Sequence, residues 1–309
     1  MEALRAPSRL VPSPRPGALR AARLASPLRA APPSASSRTH EADVVVIGAG
    51  IGGLTAGALL AKYGLSVTVC ESHAIPGGAA HAWKRDGYTF ESGPSLYDGM
   101  GRWPSSNPIG QVLHALDEPL DCVEYNTWMC HLPEGSFLTE VGNDQFLDVL
   151  REFHGEDAAQ EWIALREEMK PLAEAAMALP AAAVRTDPGV LYTLARFIPK
   201  VLSLPPSALG AITKPYSDFM EGRVQHPFLR NWLDLLCFLL SGAPASGTLC
   251  AEIAFMFSSW YRPNACLEFP KGGSGAIVEA LVRGLEKFGG RLELGAHVEE
   301  VLVEGGRAA

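Results

Sequence analysis

A glycine-rich loop follows directly on a run of β-branched residues. The run 44–47 predicts a strand buried on both faces, and Gly48, Gly50 and Gly53 come after it in the spacing G-x-G-x-x-G. Glycine at these positions allows a tight turn, a close approach of the backbone to a pyrophosphate, and close packing of a helix on the strand. The loop therefore predicts the phosphate-binding turn of a dinucleotide site.

The elements around the loop fit a βαβ unit. Residues 54–63 predict a helix closed by Gly64, and residues 66–70 predict a second strand. The N-terminus of such a helix presents free N–H groups to an anion. The candidate pyrophosphate contacts are Gly48, Ala49, Gly50, Ile51, Gly52 and Gly53. Glycines retained only for packing are the alternative interpretation.

An acidic residue stands at the end of the second predicted strand. Glu71 follows Gly50 at the distance at which a dinucleotide-binding fold places a carboxylate on ribose hydroxyls. Taken alone, Glu71 could be a solvated carboxylate at a strand end. Within a βαβ unit, the position predicts two hydrogen bonds to the ribose.

Charge is unevenly distributed along the 309 residues. The first 40 hold seven Arg and one acidic residue, whereas the whole chain has a net charge of −8, so the remainder is strongly acidic. This balance argues against a nucleic-acid-binding surface on the folded part. The sequence also contains no run of 18 or more apolar residues, which argues against a membrane-spanning helix.

Residues 1–40 have the composition of a targeting segment rather than that of a folded domain. They are rich in Ala, Pro, Ser and Arg, and Arg20 and Arg23 interrupt the best apolar stretch, which disfavours a secretory signal. The composition predicts a disordered transit peptide. A plastid and a mitochondrion both remain open as destinations, as does a disordered tail without function.

The sequence after Glu71 carries a family resemblance. Glu71 is followed by Gly77-Gly78, which resembles the extended FAD fingerprint of the flavin amine oxidase and phytoene desaturase superfamily. Residues 87–94 resemble the segment that runs beside the flavin in bacterial-type phytoene desaturases and plant prolycopene isomerases, with Glu91 where the family has Asp. The resemblance implies FAD as the cofactor. Its further implied contacts are Ser72, Gly77, Gly78, Gly93 and Pro94.

Later segments extend the resemblance to residues 42–309. Residues 269–277 are similar to the family's return from the substrate domain to the FAD domain, and residues 231–242 and 260–263 look more like carotenoid isomerases than desaturases or amine oxidases. The resemblance also implies that Val298, on a predicted strand, meets the adenine through its backbone. A buried strand valine without that role is equally compatible.

The implied fold is α/β. It comprises a Rossmann-like FAD-binding domain of the glutathione reductase type with an inserted, largely helical substrate domain. We expect the FAD-binding domain to occupy residues 41–120 and 266–309, and the substrate domain residues 121–265. We also expect the C-terminal part of the FAD domain to be missing from the 309 residues, and the chain by itself to be colourless, poorly soluble and inactive.

The middle of the chain is unusually apolar. Residues 144–180 predict helices interrupted by Gly155 and ended by Pro180, and residues 190–260 predict further helices. Such helices pack in protein, face lipid or line a pocket for an apolar ligand. For any single residue packing is the safer interpretation, and binding of a polyene is plausible only for the set as a whole.

The resemblance implies a plastid enzyme that isomerises or desaturates a carotenoid and touches a membrane peripherally. The histidines show no spacing typical of a metal site, and no catalytic residue is assigned, since a flavin would carry the reaction. The sequence does not predict an oligomeric state. Two alternatives remain: an amine oxidase or retinol-saturase-like reductase, and a non-catalytic protein that acts by association.

Overall fold

The computed structural model describes residues 41–308 except 95, 106, 134, 179–187 and 196. The predicted transit peptide, residues 1–40, and the predicted helix end at Pro180 lie outside the described residues. Residues Ala42–Ala309 form one compact unit. In the described part of the chain, no helix combines the length and apolarity needed to cross a bilayer.

The described helices and strands alternate at both ends of this unit, and helices dominate its middle. The strands are β1 (Val44–Ile47), β2 (Val67–Glu71), β3 (Ala82–Arg85), β4 (Tyr88–Glu91), β5 (Cys122–Tyr125), β6 (Thr127–Leu132), β7 (Gly135–Glu140), β8 (Leu267–Pro270), β9 (Arg291–Leu294), β10 (Val303–Glu304) and β11 (Arg307–Ala308). The α-helices are α1 (Ile51–Lys62), α2 (Pro108–Ala115), α3 (Gln145–His154), α4 (Glu156–Ala178), α5 (Gly189–Ala195), α6 (Ile198–Leu202), α7 (Pro206–Ala211), α8 (Tyr216–Met220), α9 (Pro227–Ser241), α10 (Cys250–Trp260) and α11 (Ser274–Lys287).

A parallel sheet in the order β1-β2-β9 carries the glycine loop. Val44 pairs with Val67 and Thr68 pairs with Arg291, so all three strands run in one direction. Parallel strands need crossovers, and α1 supplies the first of them between β1 and β2. The predicted βαβ unit is therefore present, and the Rossmann-like α/β fold is confirmed.

Two hydrophobic clusters stabilise the described residues. One gathers α1, α11 and the inner side of the sheet around Leu54, Val69 and Leu281. The other gathers the helices α3, α4 and α7 to α10 with β6 and β7 around Trp162 and Trp232. The clusters fall on either side of the predicted domain boundaries, which themselves stay a prediction.

The prediction that β1 is buried on both faces is wrong. Val45 is 57% and Ile47 58% exposed, whereas Val44 and Val46 pack against α1 and α11. Helices cover only the inner face of the sheet in the described residues. β-branched composition indicates a strand, but it does not report how many layers cover the strand.

A second correction concerns the predicted strand that contains Val298, near the end of the sequence. Residues 296–302 form no strand, and only Val303 and Glu304 pair, in a short hairpin with β11. Val301 and Leu302 are more than half exposed. Alternation favours a strand only where a neighbouring strand supplies hydrogen bonds, and none pairs with this segment among the described residues.

Candidate functional site

The glycine loop joins β1 to α1 through a sterically demanding turn. Gly48 adopts φ +99°, a conformation that favours glycine, and its N–H donates to the carbonyl of Cys70 on β2 at 2.8 Å. A Cβ on Gly53 would overlap the carbonyl oxygen of Gly48. The turn thus requires glycine at position 48, and the close approach of α1 to β1 requires glycine at position 53.

The loop 48–53 and the N-terminus of α1 surround an open space, which we call the glycine cradle. Gly50 is the N-cap residue and provides no side chain to cap the helix, so the first N–H groups keep their hydrogen-bonding capacity. A Cβ on Gly50 or Gly52 would meet no heavy atom within 4 Å. Uncapped N–H groups at a positive helix end, with free space in front of them, fit a pyrophosphate. Ile51 and Gly52 begin the helix there.

Glu71 lies beside this cradle at the end of β2. Its Oε2 accepts from the N–H of Ala49 at 2.7 Å, and its Oε1 accepts from the N–H of His73 at 2.8 Å. These two donors, Ala49 first, hold the pKa of Glu71 below its ordinary value. A carboxylate has about four lone-pair sites, and the hydroxyl of Ser72 reaches Oε1 as a third, weaker donor, so at least one site is left for a ribose hydroxyl.

The second glycine pair packs on the first loop. The N–H of Gly77 donates to the carbonyl of Ala49 at 2.7 Å, and Gly50 and Gly77 form a parallel bridge. A Cβ on Gly78 would lie 3.1 Å from the Cα of Gly50. Ser72, in the same stretch, donates from its hydroxyl to Glu71 over 3.4 Å. The structure therefore brings both glycine motifs and Glu71 to one place.

Gly93 and Pro94 follow a hairpin that the sequence did not predict. β3 and β4 pair in antiparallel fashion, and Gly93 comes so close to the turn 78–80 that a Cβ there would overlap the carbonyl oxygen of Ala79. The carbonyl of Pro94 accepts from the hydroxyl of Tyr97 at 2.9 Å. The end of the segment that resembles a flavin-flanking stretch thus packs against the turn that contains the second glycine pair.

Glu91 has a structural role that sequence reasoning missed. Its carboxylate accepts a hydrogen bond from the N–H of Ser274, the first residue of α11, and a Cβ on Gly273 would overlap it. An acidic side chain at a helix N-terminus is favourable. Glu91 therefore ties the segment after β4 to α11, a contact between residues far apart in the sequence.

Val298 lies close to the site without the predicted strand geometry. The N–H of Ala296 donates to the backbone carbonyl of Glu71 at 2.8 Å, so the chain passes the end of β2 there. Val298 follows two residues later, half-buried, in a segment without regular structure. Its contact with an adenine stays a prediction.

A separate cavity of about 730 Å³ lies in the helical part. Its apolar walls come from α4, from α10 and from the segment directly after α6, with Met169, Ala173, Leu204 and Phe257 among them. This volume is typical of small-molecule sites. Sequence reasoning identified the apolar residues of α10 but not the α4 wall, because the Glu-rich composition of α4 masks its buried stripe.

One side of the cavity connects with the segment after Pro94. Arg262 lines the cavity and its Nη2 lies 3.6 Å from Oδ1 of Asp98. Burial raises the pKa of Asp98, and Arg262 opposes that rise. In the described residues no group of three or more His, Cys, Asp or Glu is arranged to hold a metal ion.

The fold and the glycine cradle define a Rossmann-type dinucleotide-binding protein. A model of the NAD(P)-binding Rossmann-like domain matches residues 46–114, which include both glycine motifs and Glu71. A solved oxidoreductase from Methanosarcina mazei superposes with a TM-score of 0.58 at 20% identity, over 86% of this chain and 54% of that one. At this identity the likeness supports the fold alone.

The curated relatives include isomerases, desaturases and reductases. A chloroplastic prolycopene isomerase of Daucus carota is 29% identical over 88% of this chain and 43% of its own length. A hydroxyneurosporene desaturase of Rubrivivax gelatinosus is 26% identical over 88% and 50%. An all-trans-retinol 13,14-reductase of Danio rerio is 26% identical over 89% and 45%.

These likenesses relate the chain to prolycopene isomerases and carotenoid desaturases, and together with the Rossmann-like domain they support FAD as the dinucleotide. The similarity continues far beyond the dinucleotide-binding residues and includes the helical part. The chain spans about half the length of the curated relatives that it matches.

Replacing Glu71 by Gln is expected to weaken binding of FAD, and of ADP as its adenine-side fragment, about 10- to 100-fold. The amide keeps the shape but loses the charge and one acceptor, and a hydrogen bond to a charged group contributes about 1.5–3 kcal/mol. Titration calorimetry with both ligands measures the effect. Glu152→Gln is the matched control, since it makes the same change at an exposed carboxylate of α3, outside the candidate cofactor contacts. Unchanged affinity in Glu71→Gln would remove the ribose assignment.

Proposed function

We propose that this chain belongs to an FAD-dependent enzyme that isomerises or desaturates an acyclic carotenoid, with cis–trans isomerisation as the leading candidate. The observation that carries the proposal is the extent of the likeness. Similarity to prolycopene isomerases covers 88% of the chain and therefore includes the helices that surround the apolar cavity as well as the glycine cradle.

The chain's own residues would bind and orient the cofactor. The N–H groups at the start of α1 would hold the pyrophosphate, and Glu71 would hold the ribose. Gly77 and Gly78 would let the backbone pack close to the first loop without intruding on the ligand. When bound, FAD supplies reversible electron transfer, which suits a transient change in the bond order of a conjugated double bond.

The cavity between α4 and α10 is the proposed substrate chamber. Met169, Leu204 and Phe257 supply apolar walls, as expected of a site for an apolar ligand. Arg262 at its edge would fix Asp98 and thereby the segment that follows Pro94. The chamber and the flavin-flanking segment would then be held in one arrangement.

A retinoid reductase is the second candidate. It is supported by the 26% identity to the retinol 13,14-reductase over 89% of the chain. Retinol is also an apolar polyene, so the cavity walls do not separate the two substrates. The reactions differ in outcome, because reduction removes a double bond whereas isomerisation retains all of them.

We propose a plastid location. The Arg- and Ser-rich leader and the chloroplastic relatives support it, and a mitochondrion remains the alternative destination of such a leader. We also propose peripheral contact with a membrane, since an acyclic carotenoid dissolves in a bilayer and not in water.

Because the chain spans about half the length of its curated relatives, a protein extended over their full length is tested with poly-cis lycopene in detergent micelles, with FAD, under reducing and then oxidising conditions. Chromatography that resolves cis and trans isomers is expected to show conversion without any change in the number of double bonds. An increased number would indicate desaturation, and consumption of all-trans-retinol would favour the reductase. A flavin-loaded protein that alters none of these substrates would overturn the proposal.

A further inference from the structure

Basic side chains line one end of the cavity between α4 and α10. Arg166 and Lys170 of α4 are among its lining residues, and so is Arg262, two residues after the end of α10. A carbon surface does not stabilise a charge, so a pure hydrocarbon has no use for three cations around it. The charge of the lining therefore indicates a ligand that carries an acidic group.

The α4 wall separates a basic end of the cavity from an apolar end. Four lining residues recur at intervals of three or four, namely Arg166, Lys170, Ala173 and Met177. This spacing places them on one face of the helix. With a rise of about 1.5 Å per residue, Met177 lies roughly 16 Å from Arg166 along the helix axis. A long ligand on this wall would meet cations at one end and Met177 at the other.

One acidic residue interrupts this pattern. Glu174 is the single acidic residue among the described residues that line the cavity. It follows Arg166 by eight positions, so it lies roughly 12 Å further along the axis of α4. The basic end of the cavity is therefore free of lining carboxylates in the part of the chain that the structure describes.

Arg166 is fixed at the basic end by contacts within the protein. Its Nη1 donates to Oδ1 of Asp144, and its Nη2 donates to the carbonyl oxygen of Tyr261 at 3.3 Å. The guanidinium carbon lies 5.7 Å from the ring centroid of Tyr261. These contacts join α4 to the end of α10 and hold a positive charge beside the cavity. Arg166 therefore contributes to the potential, whereas direct binding of a ligand falls to its two neighbours.

Arg262 and Lys170 have donors left for a ligand. Nη2 of Arg262 lies 3.6 Å from Oδ1 of Asp98, which is too long for a hydrogen bond, and its guanidinium donates no hydrogen bond to the described residues. Lys170 donates to both carboxylate oxygens of Glu167 at 2.6 Å, and an exposed pair of this kind contributes little. A guanidinium binds a carboxylate through two parallel hydrogen bonds, and an ammonium adds a point charge.

We propose that the cavity binds an apolar chain that ends in a carboxylate, in preference to the same chain without the charge. The carboxylate would lie on Arg262 and Lys170, and the chain would follow the buried side chains of Met169 and Phe257, which are 1% and 5% exposed. The inference rests on the proposed function for the use of this cavity as the substrate chamber. It narrows the substrate class to an acyclic polyene whose end carries a carboxylic acid.

The test is binding of cis-parinaric acid to the full chain. This compound is a conjugated polyene with a terminal carboxylate, and its fluorescence increases in an apolar environment. Its methyl ester has the same chain without the charge and serves as the second probe. Titration of the chain with each probe gives the two dissociation constants, and neither titration needs a flavin.

The variant Lys170→Gln/Arg262→Gln removes the two proposed carboxylate ligands, whose side chains are 65% and 55% exposed. Its matched control is Lys271→Gln/Arg283→Gln. The control makes the same chemical change at two ion-paired side chains that are 60% and 52% exposed and do not line the cavity. Thermal unfolding of each variant verifies that folding is retained.

We expect the wild-type chain to bind the acid at least tenfold more tightly than the ester. The cavity variant is expected to lose at least tenfold in affinity for the acid and none for the ester, and the control to bind both probes like the wild type. Equal wild-type affinity for acid and ester, equal losses of both in the cavity variant, or the same loss of acid binding in the control would each overturn the proposal.

Competition separates the two sources of such a ligand. Displacement of cis-parinaric acid by all-trans-retinoic acid alone would identify a polyenoic acid, and displacement by hexadecanoic acid as well would identify long-chain acids in general. Both outcomes support a carboxylate site. The micelle assay keeps the two proposals apart, because a protein that prefers the acid but converts no polyene defeats only the proposed function, whereas conversion without that preference defeats only this inference.

Discussion

Gly53→Ala is expected to destabilise the fold by about 3 kcal/mol, at the upper end of the usual cost of overpacking. The new Cβ would overlap the carbonyl oxygen of Gly48, which is backbone and cannot rotate away. Either α1 shifts away from β1 or the turn opens. Both changes move the helix N-terminus, so binding of FAD and of ADP is expected to weaken at least about tenfold, which corresponds to about 1.4 kcal/mol.

Gly52→Ala is the matched control for the stability measurement. It adds the same methyl group one residue earlier in α1, where no heavy atom lies within 4 Å. Alanine is favoured over glycine in a helix by up to about 1 kcal/mol, so its stability should be equal or slightly higher. Chemical denaturation and calorimetry give both quantities. If Gly53→Ala unfolded at the same denaturant concentration as the wild type, close packing of α1 on β1 would not be the reason for the glycine.

The cofactor-binding half of the fold could be predicted because its signals are local. The strand β1, the loop 48–53, α1 and Glu71 follow one another within a short stretch of sequence, and each has its own steric or electrostatic requirement. The structure brings these residues together as expected, with Ala49 N–H donating to Glu71. Their contact with FAD itself stays a prediction.

The features that the sequence did not reveal depend on distant partners. Glu91 accepts a hydrogen bond from the N-terminus of α11, which is distant in the sequence, and no local sequence pattern predicts this contact. The exposed faces of Val45 and Ile47 depend on what covers the sheet, and the irregular segment 296–302 depends on whether a strand pairs with it. Composition indicates the intrinsic preference of a segment for helix or strand, whereas the segments that pack against it determine its burial and its final structure.

The apolar helices illustrate the same limit for a binding site. The sequence identified α9 and α10 as apolar on nearly every side, and it left packing, lipid contact and ligand binding open. In the structure α9 divides into a buried side with Trp232 and Leu236 and an exposed end with Phe238 and Leu240. Only the exposed residues, such as Phe238 and Leu240, can contact a lipid.

Trp232→Ala is expected to destabilise the helical part by about 3–5 kcal/mol, the usual cost of deleting a buried tryptophan side chain. Trp232 is 1% exposed and stacks on Phe146 with ring centroids 4.9 Å apart. Its removal leaves a cavity between α3 and α9 that these packed rings cannot close. The midpoint of chemical denaturation measures the loss.

Phe238→Ala, in the same helix, distinguishes packing from general hydrophobicity. Phe238 is 58% exposed, and surface substitutions of this kind usually change stability by less than about 0.5 kcal/mol. A large effect at Trp232 with none at Phe238 would assign Trp232 to the core and leave Phe238 to interactions outside it. Equal effects at both positions would contradict the division of α9, because a helix buried on every side would lose stability wherever an aromatic ring was removed.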